Sequence, residues 1–461
     1  MQSIKHEIKL RLAKLMAVAL ATGPIAACWY IFFADNLYYP YFRKGNWMII
    51  GLYMVLYVMF ARIYDAFTVS WNKVSEIIYS QCLAILVSDA LMFVVLWLIN
   101  HSFPNLLPCL VTLLVQMLLI SLWAWLTQTW YYRVCPPVKT AAICEEKYDI
   151  SALVRNYDLA KKFDVQRIWD ASFRLEDLEE LKKYEAVFVQ GISSHERNVI
   201  LKFCVLHDIN VFILPRIGDV IMSGAKRRHM FHLAVLQAGR WNPHPEHRLI
   251  KRLLDILISS LCLLLFSPII LLTAVAIKVG DGGPVFYKQN RLTLDGKVFQ
   301  IIKFRSMRVD AEKDGVARLS TGDKDDRITP VGRIIRKLRI DEIPQLFNVL
   351  GGSMSLVGPR PERPEIAEQY EQTLPEFRLR LQVKAGLTGY AQIYGKYNTT
   401  PYDKLQMDLM YIANPSFLED LKIIFATVKI LFQPESTDGV AEGQTTAADS
   451  EKDTEKELQE V

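Results

Sequence analysis

Residues 333–365 read RIIRKLRIDEIPQLFNVLGGSMSLVGPRPERPE, and this stretch decides how the rest of the chain is interpreted. Two adjacent carboxylates, Asp341 and Glu342, lie between a basic run and a second basic pair, Arg360 and Arg363. Apolar residues recur at roughly helical spacing on both sides, which predicts an amphipathic helix at a membrane surface. Cationic pockets of this kind bind phosphates, and Arg does so bidentately. The alternative is a solvated charged face, against which the prolines and glycines argue.

The residue types available in the C-terminal part restrict its chemistry. No His follows His247 and no Cys follows Cys262, so an imidazole base and a thiol nucleophile are both excluded there. Carboxylates, hydroxyls, lysines and bound metal remain. An Asp beside a bound phosphate can act as a covalent nucleophile. Residues 285–289 and 297–304 flank an Asp-Gly turn and predict a β-hairpin, which places Lys303 and Arg305 as candidate phosphate ligands.

Four apolar runs fill the N-terminal third, at residues 15–34, 47–61, 77–99 and 106–126. They predict an N-terminal four-helix transmembrane bundle over residues 1–133. The distribution of Lys and Arg places both ends of this bundle on the cytoplasmic side. Asp89 lies within the third run, and two interpretations stay open: a functional intramembrane carboxylate, or a polar contact with Gln116 of a neighbouring helix. The second is favoured.

Residues 138–240 form a soluble α/β domain by their pattern. Short apolar runs at 140–144, 186–190 and 211–214 alternate with polar segments of helical length, which is typical of βαβ units. The first strand is followed by CEEKYD, without the Gly-rich turn through which a backbone approaches pyrophosphate. We therefore expect no nucleotide binding by this domain, and a role in spacing or assembly.

A further apolar segment at residues 256–277 carries Ser267-Pro268 at its middle. Proline removes a helix hydrogen bond, and serine can satisfy the freed carbonyl. Basic residues bound both ends, namely Lys251 and Arg252 before and Lys278 after, which favours both ends on one side of the membrane. Residues 248–279 are therefore predicted to form a re-entrant helix-break-helix. The alternative is a kinked fifth span.

The remaining chain is predicted to hold a monotopic catalytic domain at residues 280–433, mainly α (α+β), and a disordered acidic tail at 434–461. Of the 461 residues 51% are hydrophobic, and the formal net charge is +5. A basic catalytic region suits an anionic membrane face and phosphorylated substrates. No nucleic-acid partner is expected, and the sequence leaves a homodimer open.

Four motifs in this order carry a family resemblance: KFRSM at 303–307, RKLRIDEIPQLFNVLGGSMSLVGPRPE at 336–362, KAGLTGYAQ at 384–392, and MDLMYI around Asp408. Over residues 248–432 the chain resembles the large monotopic phosphoglycosyl transferases. These are bacterial sugar transferases, also described as polyprenyl-phosphate glycosyl-1-phosphate transferases. One departure is Ala385, where the family usually has proline. It affects loop rigidity and leaves the chemistry in place.

The resemblance implies an enzyme that transfers a sugar-1-phosphate from a UDP-sugar to polyprenol (undecaprenyl) phosphate and releases UMP. It implies the start of surface polysaccharide or glycan assembly, on the cytoplasmic face of a bacterial inner membrane. It also implies that Asp341 is both the nucleophile and a ligand of a Mg²⁺ cofactor, with Glu342 assisting as metal-site support or as a base. The implied substrate and phosphate ligands are Lys303, Arg305, Arg336, Arg360, Pro361, Arg363 and Asp408.

Two other classes of protein compete with the transferase. One is a non-enzymatic membrane scaffold of a polysaccharide-assembly complex, against which the intact Asp-Glu pair argues. The other is a transporter, against which the absence of a visible internal repeat argues.

Overall fold

A computed structural model describes residues 2–41, 44–144, 159–169, 173–230, 232–308, 327–395 and 399–431. The chain divides into two compact units, Met1–Leu214 and Pro215–Val461. The division falls within the predicted 138–240 domain, because residues from Pro215 onward pack with the C-terminal unit. The predicted acidic tail at 434–461 lies outside the described residues.

The first unit begins with four long helices: α1 (Gln2–Cys28), α2 (Lys44–Ile63), α3 (Val74–Asn100) and α4 (Leu106–Val134). A π-helical turn, Trp29–Phe33, extends α1. Each is long and apolar enough to cross a membrane. The second run, at 47–61, is short for a bilayer, but α2 reaches 20 residues because it begins at Lys44. The protein is therefore a membrane protein.

Polar side chains inside these helices bind one another. The Tyr57 hydroxyl donates to Gln81 Oε1 at 2.6 Å. Gln116 Nε2 donates to the Ala21 carbonyl and to the Tyr53 hydroxyl, both at 2.7 Å. The Asp89 side chain interacts electrostatically with Tyr53 and Gln116, which supports the predicted polar contact between Asp89 and Gln116. Buried polar groups need such partners where water is absent.

A parallel sheet completes the first unit, with strands β1 (Val138–Ile143), β2 (Phe163–Trp169), β3 (Ala186–Val189) and β4 (Asn210–Ile213) in the order β2-β1-β3-β4. Helix α5 (Ser194–Leu206) follows β3 and begins with a capping box between Ser193 and Glu196. The strands at the three predicted apolar runs are confirmed. The segment directly after β1, which lacks the Gly-rich turn, lies outside the described residues.

The second unit begins with α6 (Ile217–Ser223) and a hairpin of β5 (Lys226–Met230) and β6 (Leu233–Gln237). Then come α7 (Pro245–Asp281), β7 (Phe286–Leu292), β8 (Val298–Phe304), α8 (Pro330–Lys337), α9 (Gln345–Gly351), β9 (Ser355–Val357) and α10 (Pro364–Thr373). The last elements are β10 (Gly386–Thr388), α11 (Tyr390–Tyr394), α12 (Pro401–Ala413) and α13 (Phe417–Leu431).

Helix α7 corrects the predicted helix-break-helix, because it runs through Pro268 as one helix of 37 residues. Pro268 has no N–H for the carbonyl of Leu264, four residues earlier. The Ser267 hydroxyl donates to that carbonyl at 2.7 Å instead. The serine therefore replaces the single lost donor, and the helix continues. By length and composition α7 is the fifth helix that could cross a membrane.

The predicted hairpin is confirmed as β7 and β8, paired antiparallel from Phe286↔Phe304 to Leu292↔Val298. Asp295 supplies the positive φ of +60° that the turn requires. The main core of this unit brings together α9, α10, α12 and the paired strands β9 and β10. Its most buried side chains include Val349, Met354, Phe377 and Leu405.

Candidate active site

Asp341 and Glu342 lie on a turn between two short helices, which corrects the prediction of one amphipathic helix through residues 333–350. Helix α8 ends at Lys337, and Arg339 has a left-handed φ of +53°. A 3₁₀ turn, Ile340–Glu342, follows, and α9 begins after Pro344. Left-handed backbone and proline both interrupt an α-helix. The turn therefore presents the two acids at a helix junction.

Glu342 is held by two cations from distant parts of the chain. Lys303 Nζ, at the end of β8, and Arg360 Nη2, in the loop after β9, both donate to Glu342 Oε1 at 3.0 Å. In contrast, the Asp341 side chain has no hydrogen bond to any other residue that the structure describes. Adjacent carboxylates thus have different environments.

The charges around this turn separate the two acids. Burial opposes ionisation of Glu342, but Lys303, Arg360 and Arg339 outweigh it and hold the pKa of Glu342 well below its usual range. Burial and the neighbouring Glu342 charge raise the pKa of Asp341 to about 6, against the pull of Lys303, Arg336 and Arg360. Glu342 is therefore a permanent anion and a poor proton acceptor, whereas Asp341 is the more basic carboxylate.

The structure brings three of the predicted cations, Lys303, Arg336 and Arg360, together around the turn. Lys303 and Arg360 contact Glu342, and Arg336, at the end of α8, acts electrostatically on Asp341. Pro361 is buried beside Arg360, and Arg363 precedes α10 in a partly exposed position. Lys303, Arg336 and Arg360 thus bring positive charge close to Asp341. The Asp341 carboxylate forms no ion pair with any residue in the described part of the chain.

Arg305 and Asp408 are buried, and each has a partner within the protein. The Arg305 side chain is buried, and its Nε donates to the Pro284 carbonyl at 2.7 Å, against Gly283 at the end of α7. Asp408 is 1% exposed and forms an ion pair with Arg380 at 2.7 Å. The structure thus places Asp408 as the partner of Arg380, and its predicted contact with a substrate phosphate stays a prediction.

The sequence pattern does not single out four residues near the site: Arg291, Arg339, Glu362 and Arg380. Arg291 donates a hydrogen bond to the Pro361 carbonyl, and Arg380 donates one to the Arg360 carbonyl. Glu362 lies between the two guanidinium groups. Arg339 is part of the basic run. Its positive φ, which the sequence does not reveal, places it at the start of the turn that carries the two acids. No local pattern marks Arg291 or Arg380, because their partners lie 70 and 20 residues away.

The side chains at this turn could bind Mg²⁺ only if a substrate supplied further oxygen ligands. No group of three metal-ligating side chains occurs among the described residues. Mg²⁺ is commonly bound by one or two carboxylates together with substrate phosphates and water. The carboxylate of Asp341 has no side-chain partner among the described residues, while Glu342 Oε1 already accepts from two cations. Asp341 therefore fits as the protein ligand of a shared site.

The second unit combines a long apolar helix with a carboxylate pair among Lys and Arg side chains, which is typical of a membrane protein with a cation-rich site. The family model described as "Bacterial sugar transferase" matches residues 246–434. The chain is 42% identical over 204 residues to a UDP-glucose:undecaprenyl-phosphate glucose-1-phosphate transferase of Caulobacter vibrioides, covering 43% of this chain and 76% of that protein. The chain described here therefore belongs to the bacterial sugar transferase family.

Two longer relatives are similar over a smaller share of their length. The chain is 40% identical over 231 residues to a UDP-N-acetylgalactosamine-undecaprenyl-phosphate N-acetylgalactosaminephosphotransferase of Aeromonas hydrophila, covering 50% of this chain and 53% of that protein. It is 44% identical over 187 residues to a UDP-glucose:undecaprenyl-phosphate glucose-1-phosphate transferase of Escherichia coli, covering 40% of each. The match thus spans about half or less of these relatives.

Proposed function

We propose that this protein transfers a sugar-1-phosphate from a UDP-sugar to polyprenol phosphate and releases UMP. The observation that carries the proposal is the asymmetry of the acid pair. Asp341 has no hydrogen-bonded partner among the described side chains and lies amid cations, while Glu342 binds Lys303 and Arg360. Its relatives are named for transfer from UDP-sugars to undecaprenyl phosphate, which supports both substrates.

The reaction would proceed through a covalent intermediate on Asp341. A carboxylate oxygen attacks the β-phosphorus of the UDP-sugar, the bond from that phosphorus to the bridging oxygen breaks, and UMP leaves. An oxygen of polyprenol phosphate then attacks the same phosphorus. The carboxylate leaves, which restores Asp341 and yields a polyprenyl diphosphate sugar.

Positive charge serves both halves of this reaction. Lys303 and Arg360, fixed on Glu342, face the phosphate oxygens, and Arg336 and Arg363 add charge at longer range. Asp341 would hold Mg²⁺ together with the diphosphate, and the bound metal ion supplies charge neutralisation there. Glu342 contributes by orienting its two cations, since its low pKa makes it an ineffective base.

The membrane arrangement follows from the substrates. UDP-sugars are cytoplasmic, so the proposal places the second unit on the cytoplasmic face of a bacterial membrane, with α7 re-entering the same side. The basic residues at both ends of the apolar segment support this arrangement, and proline is a position at which a helix can kink. The product would initiate assembly of a surface polysaccharide or glycan.

The test is UMP release by the purified protein in detergent, with a panel of UDP-sugars and Mg²⁺. One UDP-sugar should give a stoichiometric burst of UMP without acceptor, and continuous release once undecaprenyl phosphate is added. Asp341→Asn should abolish both, whereas Glu368→Gln, an exposed acid on α10, should retain them. Absence of UMP release with every UDP-sugar would favour the non-enzymatic scaffold instead.

A further inference from the structure

We propose that Arg380, held by Asp408, is a positioning residue for Arg360, and that it fixes the Arg360 loop (residues 359–363) behind the acid pair. This inference rests on the proposed function only for its kinetic consequence. The structural claim concerns how the loop is held, and it can be tested without turnover.

The carbonyl groups of the Arg360 loop are bound one after another. Arg380 Nη2 donates to the Arg360 carbonyl at 2.8 Å, and Arg291 Nη1 donates to the Pro361 carbonyl at 3.0 Å. The Leu292 amide then donates to the Glu362 carbonyl at 2.9 Å. Two guanidinium groups and one strand amide thus determine three successive peptide groups in a loop that has no secondary structure of its own.

Arg380 is the most buried of these donors and has two acidic partners. It is 3% exposed and forms an ion pair with Asp408 at 2.7 Å; Asp408 itself is 1% exposed. Its other terminal nitrogen lies 3.6 Å from Glu362 Oε1. A guanidinium presents donors in a rigid plane, so an anchored Arg380 can direct one N–H at a carbonyl with little loss of freedom.

The same loop carries the cation that contacts the acid pair. The Arg360 side chain is 46% exposed, yet its Nη2 lies 3.0 Å from Glu342 Oε1. A half-exposed arginine has many rotamers, and a fixed backbone reduces the number that must be lost on contact. Arg380 thus acts on Glu342 through Arg360, while Lys303 approaches Glu342 from a separate strand.

The competing explanation is that the Arg380–Asp408 pair only stabilises the fold. Removing one partner leaves an uncompensated buried charge, so Arg380→Met alone is expected to unfold part of the unit. The combined variant Arg380→Met/Asp408→Leu avoids this, since apolar residues often replace buried pairs without loss of stability. It keeps the core filled and removes the donor to the Arg360 carbonyl.

Gln406→Leu is the matched structural control. Gln406 lies on α12 two residues before Asp408, is 5% exposed, and donates to the Pro215 carbonyl. Its substitution disturbs the same helix and removes a buried polar group of similar burial. Gln406 is not among the donors that bind the carbonyls of the Arg360 loop, so the loop should keep its order in this variant.

The first measurement is amide hydrogen exchange of peptides that cover residues 355–366 in the full-length protein. In Arg380→Met/Asp408→Leu the amides of the loop should exchange at least tenfold faster than in the wild type. They should be unchanged in Gln406→Leu. Unchanged loop exchange in the combined variant, with the protein folded, would overturn the positioning role whatever the enzyme activity.

The second measurement is a cycle with Arg360→Ala, using the single-turnover rate of UMP release. The combined variant should be 10- to 100-fold slower than the wild type, because misplacement by about 1 Å costs that much. In an Arg360→Ala background the same change should add less than twofold. Independent, multiplicative losses would show that Arg380 does not act through Arg360. Absence of UMP release by the wild type would refute the proposed function and leave the exchange result intact.

Discussion

Asp341 and Glu342 are neighbours in the chain, and the protein gives them opposite acid–base properties. Glu342 receives Lys303 and Arg360, so its charge is compensated. Asp341 bears the electrostatic cost of a second anion beside it, which together with burial raises its pKa to about 6. Substitution of the two acids should therefore change the stability of the protein in opposite directions.

We expect Asp341→Asn to raise the stability of the protein while abolishing turnover. An unfolded Asp has a pKa near 3.9, and the folded value is about 6. The folded state thus binds a proton more tightly, so stability is lost as pH rises through this window. At pH 8 the Asn variant lacks that cost, which should raise the thermal midpoint by a few degrees. Thermal unfolding in detergent measures it.

Glu342→Gln provides the opposite outcome at the adjacent position. Its folded pKa is lowered, so its ion pairs stabilise the protein above the unfolded pKa near 4.3. The Gln variant should therefore unfold at a lower temperature at pH 8, and the difference should shrink as pH falls through the folded pKa. A loss of stability in Asp341→Asn at pH 8 would contradict the charge distribution described for the turn.

At limiting Mg²⁺ the rate of the first step should fall in acid with a midpoint near pH 6, because only ionised Asp341 is nucleophilic and a bound cation would lower its pKa. Single-turnover UMP release between pH 5 and pH 8 measures this. Asp408 is a confounding group, since burial raises its pKa to about 6 as well. The acid limb should persist, at a lower overall rate, in Arg380→Met/Asp408→Leu. A rate that is constant from pH 5 to pH 8 would argue against a free Asp341 nucleophile.

Helix α8 depends on one close approach to the end of the hairpin. A Cβ at Gly332 would lie 1.9 Å from the Ser306 carbonyl oxygen, which is backbone and cannot move aside. Gly332 N also donates to Thr329 Oγ1 at 2.9 Å, which caps the helix. The approach sets α8 beside β8, the strand that carries Lys303, and so it positions the acid turn.

Gly332→Ala should therefore destabilise the protein strongly, with a lower thermal midpoint and less folded protein after detergent extraction. Gly351→Ala is the matched control at the end of α9, where an added Cβ meets nothing within 4 Å. Alanine there should be neutral or slightly stabilising. Equal behaviour of the two variants would mean that α8 can shift away from Ser306 at little cost.

The hydrogen bond from Ser267 to the Leu264 carbonyl in α7 can be tested by paired substitutions. Ser267→Ala removes the donor to the Leu264 carbonyl and should cost about 1–3 kcal/mol. Pro268→Ala restores the backbone N–H, so Ser267→Ala/Pro268→Ala should recover most of that loss. Thermal unfolding of the three variants in one detergent is the measurement. If the double variant is as unstable as Ser267→Ala, the serine hydroxyl is not replacing the missing backbone donor.

The whole molecule must present the acid turn to the cytoplasm if the proposed substrates are correct. The apolar part of α7, residues 256–277, is long enough to span a bilayer when straight, so topology needs a direct test. In a background without native cysteines, Lys288→Cys and Asn242→Cys should both be shielded from an impermeant maleimide in intact cells. Both positions are exposed on the protein surface.

Ser102→Cys, in the loop between α3 and α4, should be labelled in the same cells and is the positive control. Lys288 is chosen over the nearer Gly282 because Gly282 has a φ of +71°, where a side chain is strained. Labelling of Lys288→Cys with Asn242→Cys shielded would mean that α7 crosses the membrane. The cytoplasmic transferase mechanism would then be wrong.

The sequence by itself determined the features that depend on local pattern. Apolar runs of membrane length located α1 to α4, the Asp295 turn located the β7–β8 hairpin, and the acid pair between basic clusters marked the candidate site. Ser267 was expected to satisfy a carbonyl freed by Pro268, and it does. These succeed because their causes act within a few residues of the chain.

Only the tertiary structure decided how the acids differ and which cations matter. Lys303 and Arg360 reach Glu342 from 39 and 18 positions away, and nothing local separates Glu342 from Asp341. Asp408 carries the family resemblance, and packing buries it against Arg380. Such outcomes depend on which side chains the core brings together, because the pKa and the role of a charged group follow from its neighbours in space.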